Sequence, residues 1–138
     1  MKIITGLVLF FGFCFYAMAE TVIQVHTFSY HENRAANYNE RNYGLALKSY
    51  VKDKQFDYVQ VGGYKNSEYN TSNYVAIGYE WPVGKVTLGL KAGLITGYSM
   101  GNVLPFVVPV IKYKAVSVLF APYPDAVVHL TIDVLTFN

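Results

Sequence analysis

From Val86 to Thr96 the chain alternates. Val86, Leu88, Leu90, Ala92 and Leu94 fall on one parity, and Thr87, Gly89, Lys91 and Gly93 fall on the other. Successive side chains of a strand point to opposite faces, so this pattern predicts a strand with one apolar face. It recurs at Tyr74–Trp81, Tyr43–Val51 and Ala126–Phe137, and more loosely at Val22–Tyr30, Asp57–Lys65, Val103–Tyr113 and Val116–Ala121. Eight strands are predicted, and helix periodicity is missing from the chain beyond its first twenty residues.

The connections sort into two kinds. Lys52–Gln55, Pro82–Lys85 and Tyr113–Ala115 are short and Lys-bearing. His31–Asn42, Asn66–Ser72, Tyr98–Asn102 and Pro122–Asp125 are mostly longer and carry Asn, Ser or acidic residues. In an up-and-down meander the two kinds emerge at opposite ends, as in small outer-membrane barrels. A hairpin centred on Val83-Gly84 would pair Tyr79 with Leu88, Ile77 with Leu90 and Val75 with Ala92, with Glu80 opposite Thr87.

One parity carries Leu, Val and Ile. The other mixes Gly62, Gly78, Gly89 and Gly93 with Lys48, Gln60, Glu80, Lys91, His129 and Asp133. An eight-stranded interior is only just wide enough for side chains or one small ligand. The small and polar parity is therefore expected inside and the apolar parity outside, with Glu80 meeting a Lys, Tyr or Arg in the lumen. The predicted fold is all-β, an eight-stranded antiparallel up-and-down barrel of the small outer-membrane type. A soluble periplasmic barrel binding a small apolar molecule is the alternative.

The chain has 138 residues, enough for one domain. Charged residues are 14% of it, against about 25% in an average soluble domain, while aromatics reach 17% with 13 Tyr. That balance excludes a coiled coil, a helical bundle and a disordered tail. The net charge of +2 comes from scattered Lys and gives no footprint for nucleic acid. Lys2, the apolar run Ile3–Tyr16 and Ala17-Met18-Ala19 read as a signal peptide over residues 1–19, leaving one barrel domain over 20–138. The sole cysteine, Cys14, lies in that leader, so neither a disulfide framework nor a multi-cysteine metal site is expected. No metal and no cofactor are expected. One feature opposes membrane assembly: Phe137, the aromatic nearest the C-terminus, shares parity with His129 and Asp133 rather than Val134.

Several motifs occur in order: His26, Tyr38-Asn39-Glu40-Arg41 with Gly44, Lys65-Asn66-Ser67, Gly78-Tyr79-Glu80-Trp81, Leu88-Gly89-Leu90, Ala92-Gly93, and Leu104-Pro105 through Pro109. Together they resemble the lipid A palmitoyltransferase (PagP) family of Gram-negative outer membranes, over nearly the whole chain beyond the leader. The resemblance implies an eight-stranded membrane barrel that holds an acyl chain in its upper half. It also implies transfer of a palmitoyl group from a phospholipid to lipid A. The family's catalytic His, Asp and Ser fall on His26, Asn66 and Ser67. Its lateral gap for lipid falls on Pro105 and Pro109, which cannot donate ladder bonds. Gly78, Glu80, Gly89 and Lys91 fall in the lumen, where the family binds its ligand.

The chain departs from the family at three points. An acyl transfer needs a base for the acceptor hydroxyl's proton and a polar group on the oxyanion. Asn66 stands where the family has Asp, and an analogous change in hydrolase triads costs about ten-thousand-fold. Glu80 stands where the family has a glycine that sets acyl length, and a carboxylate in a hydrocarbon slot is costly unless paired or protonated. Between Glu20 and His26 there is no room for the family's N-terminal amphipathic helix. Structural readings stand beside the catalytic ones: His26 as a hydrogen-bonding strand residue, Asn66-Ser67 as a turn, Pro105 and Pro109 as a distorted strand. The expectation is an exported, monomeric barrel of a Gram-negative outer membrane (the periplasm being the alternative) with membrane lipid or lipopolysaccharide as partner. It is expected to lack efficient transferase activity; an active lipid A acyltransferase is the runner-up.

Overall fold

The computed structural model describes residues 18–51, 55–121 and 126–138. Eight antiparallel strands follow in chain order: β1 (Met18–His31), β2 (Arg41–Val51), β3 (Tyr58–Lys65), β4 (Thr71–Val83), β5 (Val86–Tyr98), β6 (Gly101–Tyr113), β7 (Val116–Ala121) and β8 (Val127–Phe137). Each pairs with the next, and β1 pairs with β8 to close the barrel. One 3₁₀ turn, Arg34–Ala36, is the only helical piece among the described residues. Residues 1–17, with Cys14, lie outside them; β1 already begins at Met18, inside the expected leader.

The turns after β2, β4 and β6 lie at one end, called lower here, and the β1–β2, β3–β4, β5–β6 and β7–β8 connections at the other. The β4–β5 turn corrects the expected register. Its central pair is Gly84-Lys85, not Val83-Gly84, and Val83 pairs with Val86. Gly84 has φ +62°, and a type II′ hairpin turn puts glycine at that first central position. The slip is two residues, so each face is kept. Tyr79 pairs with Leu90, Ile77 with Ala92, and Glu80 with Gly89 rather than Thr87.

Burial settles which face is inside. Among the described residues, fourteen buried side chains are polar or charged and six are apolar, while 25 large apolar residues are exposed. The barrel is polar within and apolar without, the reverse of a water-soluble barrel. Phe28, Tyr30 and Tyr43 are exposed on the outer surface of β1 and β2 near the upper end, and Tyr79, Trp81, Tyr113 and Phe137 on β4, β6 and β8 near the lower. Leu45, Leu47, Val75, Ile77, Leu90 and Val107 lie between.

Two β-bulges change the parity of a strand, since an extra residue on one side of a ladder re-aims every side chain beyond it. In β8 the register shifts between Ile23↔Leu135 and Gln24↔Asp133, and Val134 is the extra residue. Thr136 then falls opposite Val22, whose side chain is buried, and Phe137 lies on the outer face. The expected parity conflict at Phe137 is thereby corrected. In β1 the shift lies between His26 and Ser29, so the lumen-facing parity passes from Gln24 and His26 to Ser29 and His31.

Candidate functional site: a cavity above a polar plug

The lower lumen is filled by charge pairs. Lys48 on β2 pairs with Glu80 on β4, and Glu80 Oε2 also accepts from the Tyr50 hydroxyl at 2.9 Å. Lys112 on β6 pairs with Asp133 on β8 at 2.6 Å. Gln24 links the two halves, donating to Asp133 at 2.7 Å and accepting from Gln60 at 2.9 Å. The Lys48 ammonium lies 4.0 Å from the centre of the Tyr58 ring, which covers Gly78. A methyl on Gly78 would come within 2.0 Å of that ring, so glycine makes the space. Isolated charges in such a place would be strongly penalised; here the opposite charges meet.

Above the plug sits a ring cluster. His26 Nδ1 is 2.8 Å from His129 Nε2, and His26 Nε2 is 2.9 Å from the Tyr74 hydroxyl. The His26 and Tyr64 rings stack at 4.7 Å across Gly44, which pairs with both residues on β2. A side chain on Gly44 would meet the Gly63 carbonyl at 2.1 Å, so the stack depends on glycine there. Lys91 enters the same level from β5, its ammonium 5.7 Å from the centre of the Tyr74 ring.

Over this floor opens a cavity of about 350 Å³, within the usual range for small-molecule sites, about 300–1,000 Å³. Ile95, Leu104, Phe106, Val108, Leu119 and Val127 give it apolar walls. His26, Lys91 and His129 line its base, and His31, Tyr38, Ser67 and Glu68 its rim. On one side the wall is unzipped. Among the described residues the β6–β7 ladder runs from Val110↔Leu119 to Tyr113↔Val116, and Phe120 and Ala121 pair with β8 alone. Residues on both flanks of the unpaired stretch, Pro105 and Ala121 among them, line the cavity.

The expected catalytic residues do not meet. His26 is bound to Tyr74 and His129 in the floor. Ser67 lies at the rim, where its hydroxyl is 2.7 Å from Nε2 of His31, a histidine the sequence reading passed over. Nδ1 of His31 lies 3.9 Å from Glu40, which also pairs with Arg34. Asn66 builds the β3–β4 turn. Its amide nitrogen donates to Ser72 Oγ at 2.9 Å and to the Gly97 carbonyl at 2.8 Å, and its oxygen accepts from the backbones of Glu68 and Asn70. Of the expected lumen ligands, Lys91 borders the cavity, while Gly78, Gly89 and Glu80 lie outside its lining. Pro109 stands next to the last paired residue of β6, Val110, and Pro105 on the unpaired stretch above it.

His31 was expected in the connection after Tyr30, whereas it ends β1 with its side chain buried in the lumen. Tyr64 and Tyr74 are two further cavity residues that the sequence analysis did not single out. Their opposite neighbours Gly44 and Gly62 were the available signal, since a ring facing glycine across a ladder has room to lie inward. No protein-family model matches the chain, and no curated protein matches it.

Proposed function

We propose that this chain is a membrane-embedded barrel of the outer membrane that holds a lipid chain in its upper cavity without efficient acyl transfer. The observation that carries the reading is the inverted barrel with an apolar cavity bordered by an unpaired strand edge. An apolar girth with exposed aromatic side chains toward both ends suits a bilayer. A soluble protein rarely exposes contiguous apolar patches beyond a few hundred Å². The outward Phe137 removes the parity objection to outer-membrane assembly. The stretch of β6 that β7 leaves unpaired, marked by Pro105 and Pro109, offers lipid a sideways path from the bilayer. The resemblance to the palmitoyltransferases points the same way for architecture. Asn66 spent in a turn and Glu80 spent in the plug speak against the family's chemistry.

Fractionation and gel mobility test the proposal. The protein is expected in the outer membrane, migrating as a compact form until boiled and carrying lipid detectable by native mass spectrometry. Recovery from the periplasm without detergent would favour the soluble alternative. One observation supports the enzyme reading: the His31–Ser67 pair at the cavity mouth has the geometry of a base beside a hydroxyl. Its signature would be a palmitate-sized mass gain on lipid A that is lost in His31→Ala and Ser67→Ala. The reading preferred here expects no such gain.

A further inference from the structure

The base of the cavity holds a charge with nothing opposite it. The Lys91 side chain is 96% buried, yet it makes no hydrogen bond or ion pair among the described residues. The two luminal carboxylates are engaged elsewhere: Glu80 holds Lys48 and Asp133 holds Lys112. A lysine buried without a counter-charge is costly, so Lys91 either rests as a neutral amine or gains an anion that arrives with the ligand, and a carboxylic acid supplies both the proton and the anion. Between Lys91 and the rim, the β5 and β6 walls of the cavity present Ile95, Leu104, Phe106 and Val108, the last of which faces Lys91 across the β5–β6 ladder.

We infer that the cavity takes a fatty acid head first, its carboxylate on the Lys91 ammonium and its chain rising along Val108, Leu119 and Phe106. The inference rests on the lipid-holding reading above and names the ligand's class. Three features single out this ligand. An ammonium selects an anion, and an ionised carboxylate forms a charge-assisted hydrogen bond with it. The neighbouring imidazole of His26 already spends both nitrogens on His129 and Tyr74, so the floor offers one cation and suits one small anionic group. The unpaired edge of β6 begins just above Val110, whose partner on β5 is Gly89, two residues from Lys91. A chain anchored at Lys91 therefore reaches the opening within a few methylenes, and its tail can stay in the bilayer.

The test compares dodecanoate with dodecan-1-ol on the folded full barrel in uncharged detergent at neutral pH. Partition into micelles is the same for wild type and variant, so it cancels when the two proteins are compared. Lys91→Met is expected to weaken dodecanoate at least tenfold and to leave dodecan-1-ol within about twofold, while Lys91→Arg keeps the preference for the acid. Compact gel mobility shows that each variant is folded. Should Lys91→Met fail to fold, the wild type alone decides. Its preference for acid over alcohol should vanish on acidification below the ordinary carboxyl range, about pH 4. Equal binding of acid and alcohol by the wild type overturns the inference but leaves the lipid-holding reading intact. Equal losses of both ligands in Lys91→Met overturn it too. Acetate binding as tightly as dodecanoate would remove the chain from the site, and binding of neither long-chain probe would overturn both readings.

Discussion

Replacing Glu80 with glutamine keeps the volume of the side chain and removes its charge. The Lys48 side chain, 5% exposed, is then left with a neutral amide and two aromatic rings. Breaking a buried ion pair from one side costs about 3–5 kcal/mol, because the surviving charge stays buried without its counter-ion. The Glu80 side chain is 18% exposed, near the lower rim, and that solvent contact puts the expected loss at the low end, about 3 kcal/mol. The reverse change, Lys48→Met, leaves Glu80 its Tyr50 hydroxyl and its access to solvent, and about 1–2 kcal/mol is expected. The double variant leaves neither charge of this pair buried and should be no less stable than Glu80→Gln alone. Urea unfolding from lipid vesicles gives the numbers. Trp81, the only tryptophan, is exposed on the outer wall two residues above the turn and reports the passage from lipid to water. A loss below about 0.5 kcal/mol for Glu80→Gln, or single losses that simply add in the double variant, would refute the account of the plug.

Three further outcomes follow from the same geometry. Asn66→Asp would turn a two-fold donor into an acceptor facing the Gly97 carbonyl and Ser72, so a loss of about 1–3 kcal/mol is expected in thermal melts, with no gain of palmitate on lipid A. Leu45→Arg, at one of the most exposed apolar sites of the outer wall, should cost about 2–4 kcal/mol in bilayers, where a charge near the midplane is penalised. A cost within about 0.5 kcal/mol, typical of a solvent-facing site, would argue against lipid contact. Gly44→Ala should destroy the His26–Tyr64 stack and abolish the compact gel form, because its methyl would collide with backbone on β3.

Strand number, order and faces were legible in the sequence because a one-sided sheet forces alternation, and alternation survives small errors of pairing. The β4–β5 hairpin shows this: its expected register was two residues out, yet every side chain kept its face. Bulges were not legible. One extra residue near Thr27 and another at Val134 leave no signal in composition, and each reverses everything beyond it. Phe137 changes face for that reason, and His31, expected in the β1–β2 connection, ends β1 facing inward past the bulge. Charge was read well where parity held, so Lys48, Gln60, Glu80, Lys91 and Asp133 all fell in the lumen as expected, but parity says nothing of who meets whom. Asn66 was weighed as a catalytic replacement or a turn residue, and only its four hydrogen bonds show it as the latter.

The ladder between β6 and β7, four pairs among the described residues, divides the barrel into halves with different freedoms. Below Val110 every strand is tied to two neighbours and braced across the lumen by ion pairs. Above it, one edge is loose. Amide exchange should therefore be slow in the lower parts of the strands and faster at the amides of Gly101–Val108 that point away from β5, since β5 alone holds that stretch. Mutations that reshape the upper walls then draw little on the stability stored in the plug. A lineage carrying this barrel can change what the cavity accepts, residue by residue around the loose edge, while the lower half goes on folding as before.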